Sequence, residues 1–310
     1  MSSAPSRTVA GGPASEGGSE ASGHLALVAV QLLFGVFPVF GRVAMDPERG
    51  FAPFAVAAGR IGFGAVVFGL LAVAVHGRGA WPPRALWGRL LGLSMLGIVA
   101  NQGLFLLGLA RSSAMDAGVL VCLIPVFTYG VAVVIGQERP VAMRLIGVAV
   151  ALLGTMPLLL ARGATLSGDH AVGNALMAVN CLCYAIYLVA SKPLVTRHPP
   201  LVVGFWVYLA AVPFLPAFLA VDSLPAVASV GEDALWSLGF VLVFPTVVTY
   251  LLNLFALTRV RASTTAFYIY LQPLLAALGG AWWLGEELHA ALLPAAAGIV
   301  LGGLLVLRRR

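Results

Sequence analysis

The sequence predicts an all-α integral membrane protein of ten transmembrane helices, arranged as two inverted five-helix repeats. Three observations predict this fold: 60% hydrophobic and only 10% charged residues, continuous apolar runs of membrane-spanning length, and rare residues that recur at a fixed offset. Soluble domains carry about 25% charged residues, so a chain this poor in charge cannot cover a water-facing surface. Continuous apolar runs favour helices over a barrel, whose strands would alternate apolar and polar residues.

The apolar runs have the length of membrane spans. A helix needs about 20 apolar residues to cross the hydrocarbon core of a bilayer, and short polar breaks divide the chain into runs of that order. We expect helices near 25–43, 52–75, 88–109, 113–135, 141–161, 171–191, 200–220, 234–257, 263–284 and 290–307. Residues 1–23 are rich in Ser, Gly and Ala and predict a disordered N-terminal tail.

The basic residues predict the orientation of the chain in the membrane. With the N-terminus in the cytoplasm, thirteen of the 18 Lys and Arg lie on the inner side and four outside, and Arg60 remains within the membrane. The positive-inside rule selects this orientation. The excess of positive charge therefore follows topology, and we expect a multi-pass protein of the cytoplasmic membrane with both termini inside and no nucleic-acid partner.

Rare residues coincide when the chain is shifted by 148 positions. The matched pairs are Arg111 with Arg259, Ala114 with Ala262, Pro125 with Pro273, Glu138 with Glu286, and Gly154 with Gly302. Five helices per repeat is an odd number, so the second copy enters the membrane from the opposite side. Inverted repeats are a recurrent plan of secondary transporters, which hold their substrate near the midplane between the halves.

The repeated motifs resemble the signature of the EamA family of the drug/metabolite transporter superfamily. The first copy reads Leu109-Ala110-Arg111-Ser112-Ser113-Ala114, then Leu123-Ile124-Pro125, then Gly136-Gln137-Glu138. The second reads Leu257-Thr258-Arg259 with Ala262, then Leu271-Gln272-Pro273, then Gly285-Glu286-Glu287. One departure is that Gln137 separates Gly136 from Glu138, whereas Gly285 and Glu286 are adjacent.

The resemblance covers about residues 25 to 308 and implies the domain organisation. We expect one EamA repeat at 24–162 and a second at 171–308, with a central cavity lined mainly by helices 1, 3, 4, 6, 8 and 9. The fifth and tenth helices are expected at the periphery. Characterised members often export amino acids or other metabolites, so the resemblance implies a small-molecule substrate. We expect transport by alternating access, in which the substrate site opens to one side of the bilayer and then to the other.

Polar residues inside the predicted spans are the candidates for substrate binding, because such residues usually face the protein interior or a wet cavity. Several share a helix face at i, i+4 spacing. The candidates are Asn101, Gln102, Asn180, Tyr184, Tyr187, Tyr250, Asn253, Tyr268 and Gln272. One interpretation is a cavity of aromatic walls and neutral hydrogen-bonding groups, suited to small amphipathic solutes; the other is hydrogen bonding between helices.

Two charged residues and two prolines complete the candidates. Arg60 lies deep in the second span and either binds a substrate carboxylate, pairs with a neighbouring carbonyl, or snorkels to an interface. Asp116 starts the fourth span and either carries a coupling proton or caps the helix. Pro125 and Pro273 each free a backbone carbonyl, which predicts hinges or static kinks. Glu138 is expected to close the turn into the next helix or to pair with an Arg.

Catalytic motifs are missing from the sequence. It contains no HExxH motif and no Gly-Lys-Ser/Thr phosphate loop, so we expect a non-enzyme without a cofactor or metal. A membrane enzyme acting on lipid-linked substrates and a non-transporting sensor are the alternatives. Glycines of the fifth and tenth spans predict close helix packing, which on the tenth serves either a homodimer contact or a lipid-facing surface; they are Gly147, Gly154, Gly298 and Gly302.

Overall fold

The computed structural model describes residues 14–109, 111–112, 114–161, 168–222, 230–284 and 290–307, which form helices and contain no strand. The α-helices are α1 (Ala14–Ala44), α2 (Pro53–His76), α3 (Trp87–Ser94), α4 (Ala100–Leu109), α5 (Ala114–Val121), α6 (Ile124–Val134), α7 (Ala142–Ala161), α8 (Ala171–Val195), α9 (Pro200–Ala211), α10 (Leu215–Val221), α11 (Glu232–Val241), α12 (Thr249–Arg259), α13 (Ala262–Phe267), α14 (Leu271–Leu284) and α15 (Leu292–Leu307).

Seven helical segments of the described chain are long and apolar enough to cross a bilayer, and α15 is a shorter apolar helix. Some of these segments contain more than one α-helix; α11 and α12, for example, form a single segment from Glu232 to Arg259. The protein is therefore an all-α, multi-pass membrane protein, as predicted. The count of ten spans stays a prediction.

The first helix begins earlier than predicted. α1 starts at Ala14 and so includes residues 14–23 of the segment predicted as a tail. Further along α1, Ala26 and Leu27 are buried against Ala256 of α12 and against Val260, which follows α12. Residues 1–13 lie outside the described residues.

A change of helical pitch recurs in the two halves. A π-helical turn at Met95–Val99 joins α3 to α4, and another at Leu242–Val248 joins α11 to α12. Shifting the first turn by 148 positions places it at 243–247, within the second. The backbone thus repeats a rare local conformation at the offset read from the sequence.

Glycines hold α7 and α15 together along their lengths. A Cβ atom on Gly154 would lie 2.8 Å from the Cα of Gly298, and one on Gly147 would lie 2.7 Å from the carbonyl oxygen of Gly302. Only a missing side chain permits such an approach of two backbones. These glycines therefore pack two helices of the same chain, and a homodimer stays a prediction.

α8 lies at the centre of the bundle, in contact with α4, α5, α6, α12 and α13. Next to it, α9 contributes two of the largest fully buried side chains, Trp206 and Tyr208. The indole Nε1 of Trp206 donates a hydrogen bond of 2.6 Å to the carbonyl oxygen of Ala80, which anchors the 3₁₀ turn Gly77–Ala80 that follows α2. This buried centre positions the polar residues described below.

Candidate functional site

A cluster of aromatic side chains, which we call the tyrosine cluster, joins four helices. It consists of Phe68 on α2, Tyr184 and Tyr187 on α8, Tyr208 on α9 and Tyr250 on α12. Tyr184 and Tyr187 stack at 6.1 Å between ring centroids, and Tyr208 meets Tyr250 edge-on at 5.0 Å. The hydroxyl groups of Tyr187 and Tyr250 share a hydrogen bond. The predicted inward face of α8 is therefore packed against the second half's own helices α9 and α12.

Two further predicted site residues, Asn180 on α8 and Asn101 on α4, contact each other. The side-chain Nδ2 of Asn180 donates a 2.5 Å hydrogen bond to the backbone carbonyl oxygen of Asn101. Beside Asn101, Gln102 is only 8% exposed, and its Oε1 atom has no hydrogen-bond partner among the described residues. Asn180 thus joins two helices, whereas Gln102 keeps an unused acceptor.

The polar residues of the region around α13 and α14 contact α1. Gln272 donates from Nε2 to the Oε1 of Gln31 at 2.9 Å, and the hydroxyl of Tyr268 lies 2.8 Å from Nδ1 of His24. Neither partner, Gln31 nor His24, is among the site residues predicted from the sequence. Gln31 could have been found as a lone amide in a predicted span, but His24 lies before the first span and gave no signal.

Arg60 reaches from the first half into the second. Its Nε donates a 3.0 Å hydrogen bond to the hydroxyl oxygen of Thr246, and its guanidinium carbon lies 5.4 Å from the ring centre of Phe37 on α1. The Thr246 hydroxyl in turn donates to the carbonyl oxygen of Val241 at 2.8 Å. Arg60 therefore lies between α1, α2 and the second π-helical turn.

Asp116 lies in the first turn of α5. Its side chain has no exposed surface, and its Oδ2 lies 3.0 Å from Nδ1 of His170, whose side chain is 36% exposed. The sequence placed His170 in a loop and did not connect it with Asp116. The pair ties the first turn of α5 to the entry of α8.

Glu138 has the structural role that the sequence predicted. Gly136 ends α6 in the left-handed conformation at φ 77°, which glycine adopts without strain. The turn directs Glu138 back into the protein, where it pairs with Arg144 at 3.2 Å and accepts hydrogen bonds from the backbone N–H and the hydroxyl of Ser263. An acidic group at the N-terminus of α13 also suits the helix dipole. Its repeat partner Glu286 lies outside the described residues.

The two prolines follow interruptions of the helices. Pro125 lies in the first turn of α6, just after the break that separates α5 from α6. Pro273 lies near the start of α14, after a 3₁₀ turn at Tyr268–Tyr270. Both positions suit a bend, and the hinge role stays a prediction.

The structure thus divides the predicted site residues into separate groups. Tyr184, Tyr187 and Tyr250 lie together, and Asn253 is buried on the next turn of α12. Gln272 and Tyr268 lie on the side of α1, and Asp116 lies apart with His170.

Comparison with known proteins gives concordant results. The model of the EamA-like transporter family matches residues 21–160 and again 171–308. The threonine/homoserine exporter RhtA of Salmonella typhimurium is 32% identical over 56% of this chain and 58% of its own length, and RhtA of Escherichia coli K12 is 30% identical over the same shares. The chain thus spans less than two thirds of the length of these relatives.

Two other similarities extend further along the chain. An uncharacterized transporter of Archaeoglobus fulgidus is 25% identical over 72% of this chain and 78% of its own. A crystal structure with 20% sequence identity superimposes with a TM-score of 0.76 over 93% of this chain and 98% of that one, which shows a shared fold. Because the family model matches nearly the whole chain in two copies, this protein belongs to the EamA-like transporter family of the drug/metabolite transporter superfamily.

Proposed function

We propose that the protein is a secondary transporter that exports small neutral amino acids, such as threonine and homoserine, across the cytoplasmic membrane. The family supports transport, and the two exporters at 30–32% identity support amino acids as the substrate class. The match to these exporters covers 56% of this chain, so the substrate class is the part of the proposal that needs the test below.

The observation that carries the proposal is a set of polar contacts between the two halves in the middle of the helices. Arg60 bonds to Thr246, Gln272 to Gln31, and Asn180 to the backbone of Asn101. Each bond joins a residue of the first repeat to a residue of the second. Inverted-repeat transporters place substrate between their halves at this depth, so these groups suit a site that forms and opens as the halves move.

In the proposed mechanism, ten helices in two inverted five-helix halves exchange conformations and expose the site to one side at a time. Both termini lie in the cytoplasm in this arrangement. The contacts of Glu138 with Ser263 then close the cytoplasmic end, since they join the α6–α7 turn of one half to α13 of the other. Pro125 and Pro273 supply the bends at equivalent places in the two halves.

Uptake of a labelled amino-acid panel into inside-out vesicles tests the function. We expect uptake of threonine and homoserine above that of empty vesicles, and a strong loss with Tyr184→Ala or Gln272→Ala. Trp236→Ala is the matched control, because Trp236 is 75% exposed and lies outside the candidate site. Running the assay with and without a proton gradient identifies the coupling. Absence of uptake for every amino acid refutes the substrate class and leaves the fold untouched.

A further inference from the structure

We infer that Arg60 is the anion-binding group of the transport site and takes the carboxylate of the substrate. This inference deepens the proposed function and rests on it. It names the chemical class that the site selects, an organic carboxylate, and the residue that selects it.

The first support is the position of the charge. Arg60 lies seven residues into α2, about 10 Å along the axis from Pro53, and its partner Thr246 lies midway along the segment from Glu232 to Arg259. Both positions fall within the hydrocarbon core if the segments cross a bilayer about 30 Å thick. Ionisable residues at such depth usually pair with one another or mark a substrate path.

The second support is the absence of a counter-charge. Among the described residues, no acid forms an ion pair with Arg60, and its hydrogen bonding is limited to the bond from Nε to Thr246. Two buried acids, Asp116 and Glu138, each contact another basic residue: Asp116 contacts His170, and Glu138 contacts Arg144. Arg60 is half-buried, and a cation that has lost part of its hydration gains stability from an anion, a role that the substrate carboxylate fits.

The third support is that the hydrogen bond to Thr246 fixes the orientation of the Arg60 guanidinium. Pro245 has no N–H, so the carbonyl of Val241, four residues earlier, lacks its usual α-helical donor. The Thr246 hydroxyl donates to that carbonyl, which leaves its oxygen lone pairs free to accept from Nε of Arg60. The guanidinium is held at Nε and lies beside the ring of Phe37.

This arrangement leaves the terminal nitrogens for a ligand. A guanidinium carries five N–H groups in one plane, and four of them belong to its two terminal nitrogens. None of the described residues accepts a hydrogen bond from those four. A carboxylate can bind them with two parallel hydrogen bonds, which is the geometry that distinguishes Arg from Lys. Thr246 is thus a positioning residue, and Arg60 is the group that contacts substrate.

The test compares a carboxylate with its neutral amide. Purified wild-type protein, Arg60→Gln, Arg60→Lys and Thr246→Val are reconstituted in liposomes, and uptake of labelled threonine and threonine amide is measured, together with thermal stabilisation by each compound in detergent. Arg49→Gln is the matched control, since Arg49 is exposed and its described contacts are made by its backbone.

We expect Arg60→Gln to raise the KM for threonine about tenfold or more and to accept threonine amide at least as well as the wild type does. The amide carries a net positive charge and lacks the carboxylate, so it gains when the guanidinium is removed. Arg60→Lys should keep part of the threonine uptake, because the charge remains and the fork is lost. The KM of Thr246→Val for threonine should lie between those of the wild type and Arg60→Gln. A further variant, Thr246→Ser, keeps the hydroxyl group and should restore the uptake that Thr246→Val loses.

Two results overturn the inference. One is an Arg60→Gln protein that transports threonine with a KM within twofold of the wild type. The other is a folded Arg60→Gln protein that loses threonine and threonine amide alike, which would mark a structural residue. If the wild type takes up no amino acid, the proposed function fails separately. Thermal stabilisation by lactate, succinate and benzoate then decides the inference: stabilisation that Arg60→Gln abolishes retains it, and no stabilisation by any carboxylate overturns it.

Discussion

Replacing Glu138 with glutamine should destabilise the protein strongly. The side chains of Glu138 and Arg144 are 5% and 10% exposed and lie 3.2 Å apart. The same carboxylate accepts from the Ser263 hydroxyl at 2.8 and 2.7 Å and from its backbone N–H at 3.2 Å. Glutamine keeps one acceptor oxygen, but it turns an NH2 group towards Arg144 or Ser263 and leaves a buried guanidinium without its anion.

Breaking a buried ion pair by removing one partner costs about 3–5 kcal/mol. Because the remaining amide oxygen still accepts from Ser263, we expect the lower end, about 3 kcal/mol, which is roughly a hundredfold in the unfolding equilibrium. The free energy of unfolding is measured by titration with SDS in mixed micelles and followed by tryptophan fluorescence. Arg139→Gln is the matched control, since the neighbouring Arg139 is exposed and should change stability by less than about 0.5 kcal/mol.

A double variant separates the pair from its surroundings. Adding Arg144→Met to Glu138→Gln removes the uncompensated charge, so the double variant should be no less stable than Glu138→Gln alone. The reasoning is refuted if Glu138→Gln unfolds within about 0.5 kcal/mol of the wild type. It is also refuted if the two substitutions simply add, because additive losses mean that the groups do not interact.

Two further predictions follow from packing and from charge. Gly154→Ala should cost about 1–3 kcal/mol in the same unfolding assay because its Cβ meets Gly298, whereas Gly130→Ala, on a helix face with nothing within 4 Å, should be neutral or stabilising by up to about 1 kcal/mol; equal losses would contradict the packing argument. Asp116→Asn should leave substrate exchange intact and make net transport in vesicles insensitive to an imposed proton gradient; a response equal to the wild type's would remove Asp116 from coupling and leave it a structural partner of His170.

The helices were predictable because a segment that crosses the lipid bilayer needs a long run of apolar residues. Apolar runs placed the described helices within a few residues at most ends, and the motif ending in Glu138 correctly indicated a closed turn. α1 differs, since it begins at Ala14, in a segment that carries no apolar pattern. The π-helical turns could not be predicted from the sequence either. Pro245 lies in the second turn and indicates an irregularity there, but Met95–Val99 contains no residue that indicates the first.

The partners of the polar residues could not be predicted for a different reason. Helical periodicity shows which residues share a face, but the residue opposite is set by the packing of distant segments. Gln272 shared a predicted face with Tyr268, yet its partner Gln31 lies 241 positions away. Likewise Asn180 shared a predicted face with Tyr184 and Tyr187, but its hydrogen-bond partner is the backbone carbonyl of Asn101 on α4. Such pairings need the tertiary structure.

The two halves agree in backbone and differ in the chemistry of their inner faces, and this difference bears on substrate selection. α2 packs on the second π-helical turn, and α9 packs on the first, so these contacts are equivalent under the repeat. Shifted by 148 positions, Arg60 corresponds to Tyr208, and Ile98 corresponds to Thr246. An exchange of conformations between inverted halves requires similar backbones, which the shared turns provide, but it does not require equal side chains. In the proposed transport cycle, Arg60 binds the carboxylate of one substrate molecule between the halves. Because a guanidinium without an anion is costly to move through a closed, apolar interior, the proposed exchange of conformations should favour the substrate-loaded protein over the empty one.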